Sequence, residues 1–470
     1  FIHKQSKTLL RELRKFIIKH FAFGPFEFIE PYSQKVVEKA RDLKEMQDKM
    51  YLIPDSSLRY HITRNHFSKW LNARALFSLA SIFKQVSAED FENLDDARHF
   101  LFQSIQNFRI NKGRGVIAEF EKETYDEYLI FTRIGNGSIG GKARGLAFLD
   151  SLIKRNNLLS KYPNVLISIP RTIVLSTDYF DEFIEVNDLY KIALSDISDQ
   201  KMLDAFVSSP LPEVVTENLK AFIKVVRKPI AVRSSSLLED SHYQPFAGVY
   251  STYMIPNLPE EPEQMIDMLS IAIKSVYASA YFRSSKAYMT ATSNLIDEEK
   301  MSIVFQEITG SPIGDVFYPS FSGVARSINF YPIEPEKPED GIANIAIGLG
   351  KQIVEGGQSI RFSPKYPQKI LQLSSPEQAL RETQKEFYVL DQNPLSFKKS
   401  TDDAINLKSV RIRDINSQWG LDQLMSTFDF ENNIVREGSG HKGKKIVTFS
   451  NILKHKTFPL PEILSDILTI

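Results

Sequence analysis

Residues 228–240 read KPIAVRSSSLLED, and the chain continues with PFAGVYST at 245–252. The apolar run Ile230–Val232 predicts a short buried strand that ends in Arg233 and three consecutive serines. An arginine presents a planar fork of donors that matches phosphate oxygens, and serine hydroxyls add further donors. In the loop that follows, Gly248 would let a backbone N–H approach a bulky anion closely. The stretch therefore indicates a phosphate-binding edge, although in isolation a surface arginine beside a serine-rich turn is the simpler interpretation.

Composition limits the class of protein. The chain has 470 residues, which is enough for about two to four domains, and its 58 basic side chains balance its 58 acidic ones. With this balanced charge, no overall electrostatic attraction to nucleic acid or to an anionic membrane is expected. The absence of cysteine excludes disulfides and thiolate chemistry, and no apolar run approaches the roughly 20 residues that span a bilayer. We expect a soluble, cytoplasmic protein, and because it begins at Phe1 we interpret it as a segment of a longer one.

The first part of the chain, residues 1–125, has helical periodicity and few glycines. Trp70 and Leu71 fall on one apolar stripe, so we expect them in a core. His61 and His66 lie five residues apart, which is a poor spacing for two ligands on one helical face. No cysteine or carboxylate cluster stands beside them, and we interpret both as structural.

A second glycine-rich stretch lies upstream of Arg233. An apolar strand at 128–134 runs into GNGSIG at 135–140, which satisfies a G-x-G-x-x-G pattern. A dinucleotide site would also need an acidic residue at the end of the next strand, 165–170, which supplies none. A P-loop is excluded because Ala143 stands where a hydroxyl would hold magnesium. There remain a glycine loop, Lys142 and a helix N-terminus, which together form an anion site or a solvated turn.

Six motifs in a fixed order carry a family resemblance. Together they resemble the nucleotide-binding part of phosphoenolpyruvate synthase and pyruvate, phosphate dikinase, over about residues 128–362. The motifs are Ile139–Ala143 (IGGKA), Ile230–Ser236 (IAVRSSS), Phe246–Gly248 (FAG), Val304–Glu307 (VFQE), Phe321–Ala325 (FSGVA) and Gly348–Gly350 (GLG). Six motifs in the family's order are far more specific than any single one.

The resemblance implies an α+β fold with a two-lobed, ATP-grasp-like domain. The helical N-terminal region would occupy 1–125, the first lobe 126–295 and the second lobe 296–470, with the second lobe incomplete at its C-terminal end. ATP would lie between the lobes, accompanied by Mg2+. The residues that match the family's ATP-binding positions are Lys142 and Arg233 for the phosphates, Ser234, Gly248 and Thr252 around them, and Gln306 on the strand that lines the adenine pocket.

The chain also departs from the family. Relatives of this kind pass a phosphoryl group from ATP to a histidine in a Thr-x-His-x-Ala-like segment, and none of the eight histidines lies in such a context. The resemblance therefore implies that the carrier-histidine and pyruvate-binding domains lie outside this chain. The acidic strand residue and the Gln-x-Arg segment that complete the family's site are not recognisable downstream, so the metal ligands stay unassigned. We expect a phosphotransferase portion that is inactive by itself.

Two alternatives stay open. Glucan dikinases and antibiotic phosphotransferases use the same ATP module, and only domains outside the chain would separate them from a phosphoenolpyruvate synthase. The long helical N-terminal region and the unrecognised catalytic motifs also fit a nucleotide-sensing or scaffolding module without catalysis. The phosphoryl acceptor and the oligomeric state do not follow from the sequence.

Overall fold

The described residues form two compact units. A computed structural model describes residues 16, 23–112, 117–120, 130–156, 158–162, 165–236, 250–291 and 299–470. Those before residue 113 belong to the first unit, and those from residue 117 onwards belong to the second. Both expected domain boundaries, at 125/126 and at 295/296, lie outside the described residues.

In residues 23–112, the main described part of the first unit, five α-helices pack on a β-hairpin. Its elements are β1 (Phe26–Ile29), β2 (Val36–Ala40), α1 (Leu43–Lys49), α2 (Asp55–Thr63), α3 (His66–Asn72), α4 (Phe77–Gln85) and α5 (Leu94–Lys112). The sequence predicted helices alone here. Strand β1 alternates buried Phe26 and Phe28 with an exposed residue, but a run of four residues is too short to reveal this period. Trp70 and Leu71 are 2% and 0% exposed, within the core as expected.

A neutral histidine pair lies inside this unit. The ring nitrogen Nε2 of His61 accepts the N–H of Ile29 at 2.9 Å, and its Nδ1 lies 3.0 Å from Nδ1 of His66. Burial, followed by the charges of the His66 ring and Arg64, lowers the pKa of His61 to about 3. The pair therefore has a structural role, as the sequence indicated.

Because of this histidine pair, we expect the stability of the first unit to decrease at acidic pH. His61 becomes protonated below about pH 6.5 in the unfolded chain, but only near pH 3 in the folded unit. The contribution of neutral His61 to the free energy of unfolding is therefore fully present above pH 6.5, and it is lost as the pH falls from 6.5 to 3. The slope can reach about 1.4 kcal/mol per pH unit. In His61→Gln, an amide oxygen can accept from Ile29 without titrating. Thermal unfolding between pH 4.5 and 7.5 should show a flatter pH dependence for this variant; an unchanged slope would contradict the assignment.

The second unit contains the Arg233 stretch and begins with a mixed sheet. Its strands are ordered β3-β4-β5-β8-β6-β7, parallel from β3 to β5 and antiparallel from β5 to β7. Their bounds are β3 (Ala118–Glu119), β4 (Phe131–Ile134), β5 (Thr172–Leu175), β6 (Ile230–Ser236), β7 (Thr252–Ile255) and β8 (Met301–Glu307). Strand β8 comes after residue 296, where a second lobe was expected to start, yet it pairs with β5 and β6 in this sheet.

Helices cover both faces of the sheet. They are α6 (Gly140–Arg155), α7 (Leu158–Lys161), α8 (Thr177–Val186), α9 (Tyr190–Ala193), α10 (Asp199–Ser208), α11 (Glu213–Ile223), α12 (Pro262–Ser279) and α13 (Arg283–Ala291). On one face α6 packs through Ala143 against Val174 and Val304. On the other face α11 packs through Phe222, whose ring lies 5.6 Å from that of Phe305, and α8 and α12 lie beside it.

The rest of the unit is built from three antiparallel sheets, ordered β15-β14-β10-β9, β11-β12-β13 and β17-β16-β18. The elements are β9 (Ser311–Ile313), β10 (Val316–Tyr318), β11 (Phe321–Arg326), β12 (Ile342–Ile347), α14 (Lys351–Val354), β13 (Ile360–Phe362), α15 (Pro376–Glu382), β14 (Glu386–Asp391), β15 (Leu407–Arg411), β16 (Met425–Asp429), β17 (Ile434–Glu437), β18 (Lys444–Val447), α16 (Ser450–Leu453) and α17 (Leu460–Thr469). One hydrophobic core, with Phe387 and Val447 at 0% exposure, joins them.

The mixture of helices and sheets confirms the expected α+β class. Among the described helices, none combines the length and the apolar character needed to cross a membrane.

Candidate functional site

Arg233 and Thr252 lie side by side on one face of the mixed sheet. They are register partners in β6 and β7, and register partners in antiparallel strands point to the same face. Gln306 of β8 is partnered with both Ala231 of β6 and Thr172 of β5, so it shares that face. Three residues that the sequence predicted for one site are therefore brought together by strand pairing.

Hydrogen bonds fix the orientation of the Arg233 guanidinium. Its Nη1 donates to Oε1 of Gln306 at 3.2 Å, and Nε2 of Gln306 donates to Oγ1 of Thr172 at 3.3 Å. The amide of Gln306 thus presents its oxygen to the arginine because its nitrogen is engaged on the other side. The polar row of Arg233, Gln306 and Thr172 lies between the apolar cluster beneath α6 and a second apolar cluster, which includes Ala231 and Leu349.

Lys142 reaches the same strand from the first turn of α6. Its Nζ donates to the carbonyl oxygen of Ser234 at 2.8 Å, directly after Arg233 in the chain. Side chains alternate along a strand, so the side chain of Ser234 lies on the opposite face, where it is 1% exposed. Lys142 therefore contacts the backbone carbonyl of Ser234, whereas the hydroxyl of Ser234 lies on the face opposite Arg233.

Close docking of α6 on β6 sets the position of Lys142. The backbone of Gly140 has a φ of 70°, and a Cβ there would lie 2.2 Å from the carbonyl oxygen of Ser235. The hydroxyl of Ser235 donates to the carbonyl of Ile139 at 3.0 Å and accepts the N–H of Ala143 at 3.2 Å. A glycine is thus needed at the start of the helix, both for the conformation and for the space.

The glycine loop is held by an aspartate that the sequence analysis missed. Oδ2 of Asp178 accepts the N–H of Asn136 at 3.0 Å, and Oγ1 of Thr177 accepts the N–H of Ser138 at 3.0 Å. Burial would raise the pKa of the Asp178 carboxyl, but hydrogen bonds from Ser176 and from loop N–H groups outweigh it and lower this pKa. Donors that the loop was expected to offer an anion are engaged by protein groups instead. The Ser-Thr-Asp run at the start of α8 was the available signal, because these residues favour helix starts.

A second missed aspartate connects β7 to the later glycine cluster. Oδ2 of Asp403 accepts the N–H of Thr252 at 2.8 Å, and its Oδ1 lies 3.0 Å from Nζ of Lys351. Lys351 begins α14, immediately after the turn at Gly348. Burial would lower the pKa of Lys351, but its pairs with Glu355 and Asp403 outweigh this and raise it. Asp403 therefore connects β7 of the mixed sheet to the start of α14.

The remaining expected residue, Gly248, lies outside the described residues. The expected acidic strand residue was not recognised in the sequence, but β14 does end in an acid, Asp391. Its carboxylate pairs with Lys408 at 2.8 Å and accepts the N–H of Asn393 at 3.0 Å.

The sequence of residues 136–416, more than half of the chain, matches the model of the family described as pyruvate phosphate dikinase, AMP/ATP-binding domain. The chain belongs to the pyruvate phosphate dikinase family. The matched range contains Lys142, Arg233, Gln306 and both missed aspartates, whereas the sheet of β16, β17 and β18 lies beyond it. The recognition made from six motifs is thereby confirmed.

Part of the chain is also similar to a curated protein. The chain is 27% identical over 190 residues to the uncharacterized phosphotransferase YvkC of Bacillus subtilis (strain 168). The match covers 40% of this chain and 20% of that protein, so the chain spans only a minor part of its relative. Membership of the pyruvate phosphate dikinase family therefore rests on the match to the AMP/ATP-binding domain.

Proposed function

We propose that this chain binds ATP on the sheet face that carries Arg233, Thr252 and Gln306, as one part of a phosphoenolpyruvate synthase-like phosphotransferase. The proposal rests on the observation that two cationic side chains, Arg233 on β6 and Lys142 on α6, both lie at strand β6. The guanidinium of Arg233 projects from β6, and the ammonium of Lys142 lies 2.8 Å from the next carbonyl along that strand. Two fixed cations suit a polyphosphate, whose charge has to be offset.

We further propose an ATP-grasp-like arrangement in which the nucleotide lies between two lobes. The mixed sheet would supply the phosphate side, and the antiparallel sheets that start at β9 would supply the other. The apolar cluster of Ala231, Phe317, Leu349 and Leu390 supports this, because it joins the lobes beside the polar row. Gly248 and Thr252 would cover the phosphates, and Gln306 would line the base pocket while orienting Arg233.

In this arrangement the protein acts chiefly by positioning and charge. Arg233 can contact two phosphate oxygens at once, whereas Lys142 acts as a point charge. Both would stabilise negative charge on the transferring phosphoryl group, which would pass to a carrier histidine on a domain outside this chain. The same proposal includes transfer of phosphoryl groups from ATP to two acceptors and a pyruvate-binding domain.

Magnesium ordinarily accompanies ATP in phosphoryl transfer. Within the described ranges, however, no group of three histidine or carboxylate side chains is arranged to hold a metal ion. Two of the carboxylates described above, Asp391 and Asp403, are each paired with a lysine. Because one or two carboxylates plus the ATP phosphates can hold magnesium, the ligands of the ion stay unassigned.

A nucleotide-sensing module without catalysis is the second candidate, and Asp403 favours it. Its carboxylate already occupies the Thr252 N–H and the Lys351 ammonium, two donors that a phosphate group would use. Displacement of Asp403 by ATP would change the connection between the lobes without any chemistry. The ATP modules of glucan dikinases and antibiotic phosphotransferases remain further possibilities within the enzyme class.

Calorimetric titration with ATP tests the proposal. We expect binding by the intact chain, competition by AMP, and affinity at least about tenfold weaker in Lys142→Ala, because a charged contact to phosphate contributes about 1.5–3 kcal/mol. Lys191→Ala is the matched control, since that side chain is 81% exposed and pairs with Asp188. Absence of ATP binding, or equal affinity in the two variants, would refute the site. Acid-labile phosphohistidine formed from ATP by a longer protein that contains this chain would separate transfer from sensing.

A further inference from the structure

A basic cleft lies at the junction between the family domain and the sheet that follows it. Its volume is about 380 Å3, and β14, β15 and β18 contribute to its walls. One acidic side chain, Glu386, lines it together with five basic ones: Lys385, Arg411, Arg413, Lys444 and Lys445. This is a strong local excess of positive charge in a chain whose formal net charge is zero.

The cleft is built on ordered elements. Ile412 and Ile446, which are 2% and 1% exposed, line it and belong to the buried apolar part of the unit. Gln384 is 2% exposed, and its amide accepts from the N–H of Ile347 at 2.8 Å and donates to the carbonyls of Ile347 and Glu386 at 3.0 Å each. The chain segment that carries Lys385 and Glu386 is therefore held in place by the neighbouring sheet.

The basic side chains of the cleft are only partly neutralised, since Arg413 pairs with Asp414 at 3.5 Å. In the described part of the chain, Lys385, Arg411 and Lys444 form no ion pair, whereas nearby Lys408 and Lys454 each pair with a carboxylate. Burial, followed by the charge of Lys444, lowers the pKa of Lys385. Like charges on opposite walls thus repel one another, and a bound anion would relieve that repulsion.

We propose that this cleft binds a small molecule that carries phosphate groups. Its volume falls within the range of about 300–1,000 Å3 that is usual for small-molecule sites. The two arginines, Arg411 and Arg413, provide the planar donors that suit phosphate, and the lysines supply further charge. None of the residues that line the cleft belongs to the candidate ATP site, so the proposal is independent of the proposed function.

Inorganic pyrophosphate is a suitable probe, followed by thermal unfolding and calorimetry of the intact chain. We expect pyrophosphate to raise the unfolding temperature and to bind at least tenfold more weakly to the triple variant Lys385→Gln, Arg411→Gln, Lys444→Gln. The control triple Lys191→Gln, Lys220→Gln, Lys300→Gln removes the same charge from exposed positions that do not line the cleft. It should bind pyrophosphate like the wild type. Without ligand, the cleft variant should unfold at or above the wild-type temperature, because it lacks the repelling charges.

A second arm separates this cleft from the ATP site. Arg233→Met should retain pyrophosphate binding, because Arg233 does not line the cleft. Loss of binding in Arg233→Met, undiminished binding in the cleft variant, or no binding by the wild type would each overturn the proposal. Binding of the chain to heparin, a long polyanion, without any binding of pyrophosphate would also overturn the proposal. In that case the cleft would not take a small ligand.

Discussion

Arg233→Met is expected to weaken ATP binding by about 10- to 100-fold. The substitution removes charge-assisted hydrogen bonds to phosphate, each worth about 1.5–3 kcal/mol, where 1.4 kcal/mol corresponds to a factor of ten. Methionine retains an unbranched apolar stem, so the packing of the half-buried side chain should change little. Calorimetric titration with ATP provides the measurement, and the unfolding temperature without nucleotide should stay close to that of the wild type.

Arg381→Met is the matched control. Its guanidinium pairs with the adjacent Glu382 at 2.8 Å, and its side chain is 73% exposed. This variant should bind ATP as the wild type does. If both variants bind equally well, Arg233 does not contact the phosphates and the proposed site is wrong.

Gly140→Ala should have the largest effect on stability, about 2–4 kcal/mol lost from the unfolding free energy of the second unit. The positive φ costs an L-residue about 1–2 kcal/mol. The remainder comes from the new Cβ, which would lie 2.2 Å from the carbonyl oxygen of Ser235 and would force α6 away from β6. Because Lys142 is carried by that helix, ATP affinity should fall as well.

Gly145→Ala, about one turn further along α6, is expected to raise the free energy of unfolding, in contrast to Gly140→Ala. A Cβ at Gly145 meets nothing within 4 Å, and alanine is favoured over glycine inside a helix by about 0.5–1 kcal/mol. Chemical denaturation of the two variants side by side makes the comparison. Equal stabilities would show that α6 does not depend on close approach at Gly140.

Local sequence was sufficient for the elements that carry the motifs. The expected strand at Ile230–Val232 is present, and it extends to Ser236 because the serines continue the ladder with β8 and the hydroxyl of Ser302 donates to the carbonyl of Ser235 at 2.7 Å. Lys142 and Arg233, which are 91 positions apart in the chain, could be assigned to one site only through the resemblance to a family. Periodicity alone would have left each as an isolated cation.

The residues that the sequence did not reveal act over long separations. Asp178 binds a loop 42 positions away, and Asp403 binds a strand 151 positions away. Neither contact leaves a periodic or spaced pattern, because both depend on how the sheet brings distant segments together. The pairing of strand β8 is also long-range, since its partners β5 and β6 lie far upstream.

A crystal structure of this chain with a non-hydrolysable ATP analogue tests the central claim most directly. The triphosphate is predicted to lie within hydrogen-bonding distance of both the Arg233 guanidinium and the Lys142 ammonium, with the base towards Gln306. A nucleotide bound elsewhere, with neither cation in contact with a phosphate oxygen, would contradict it.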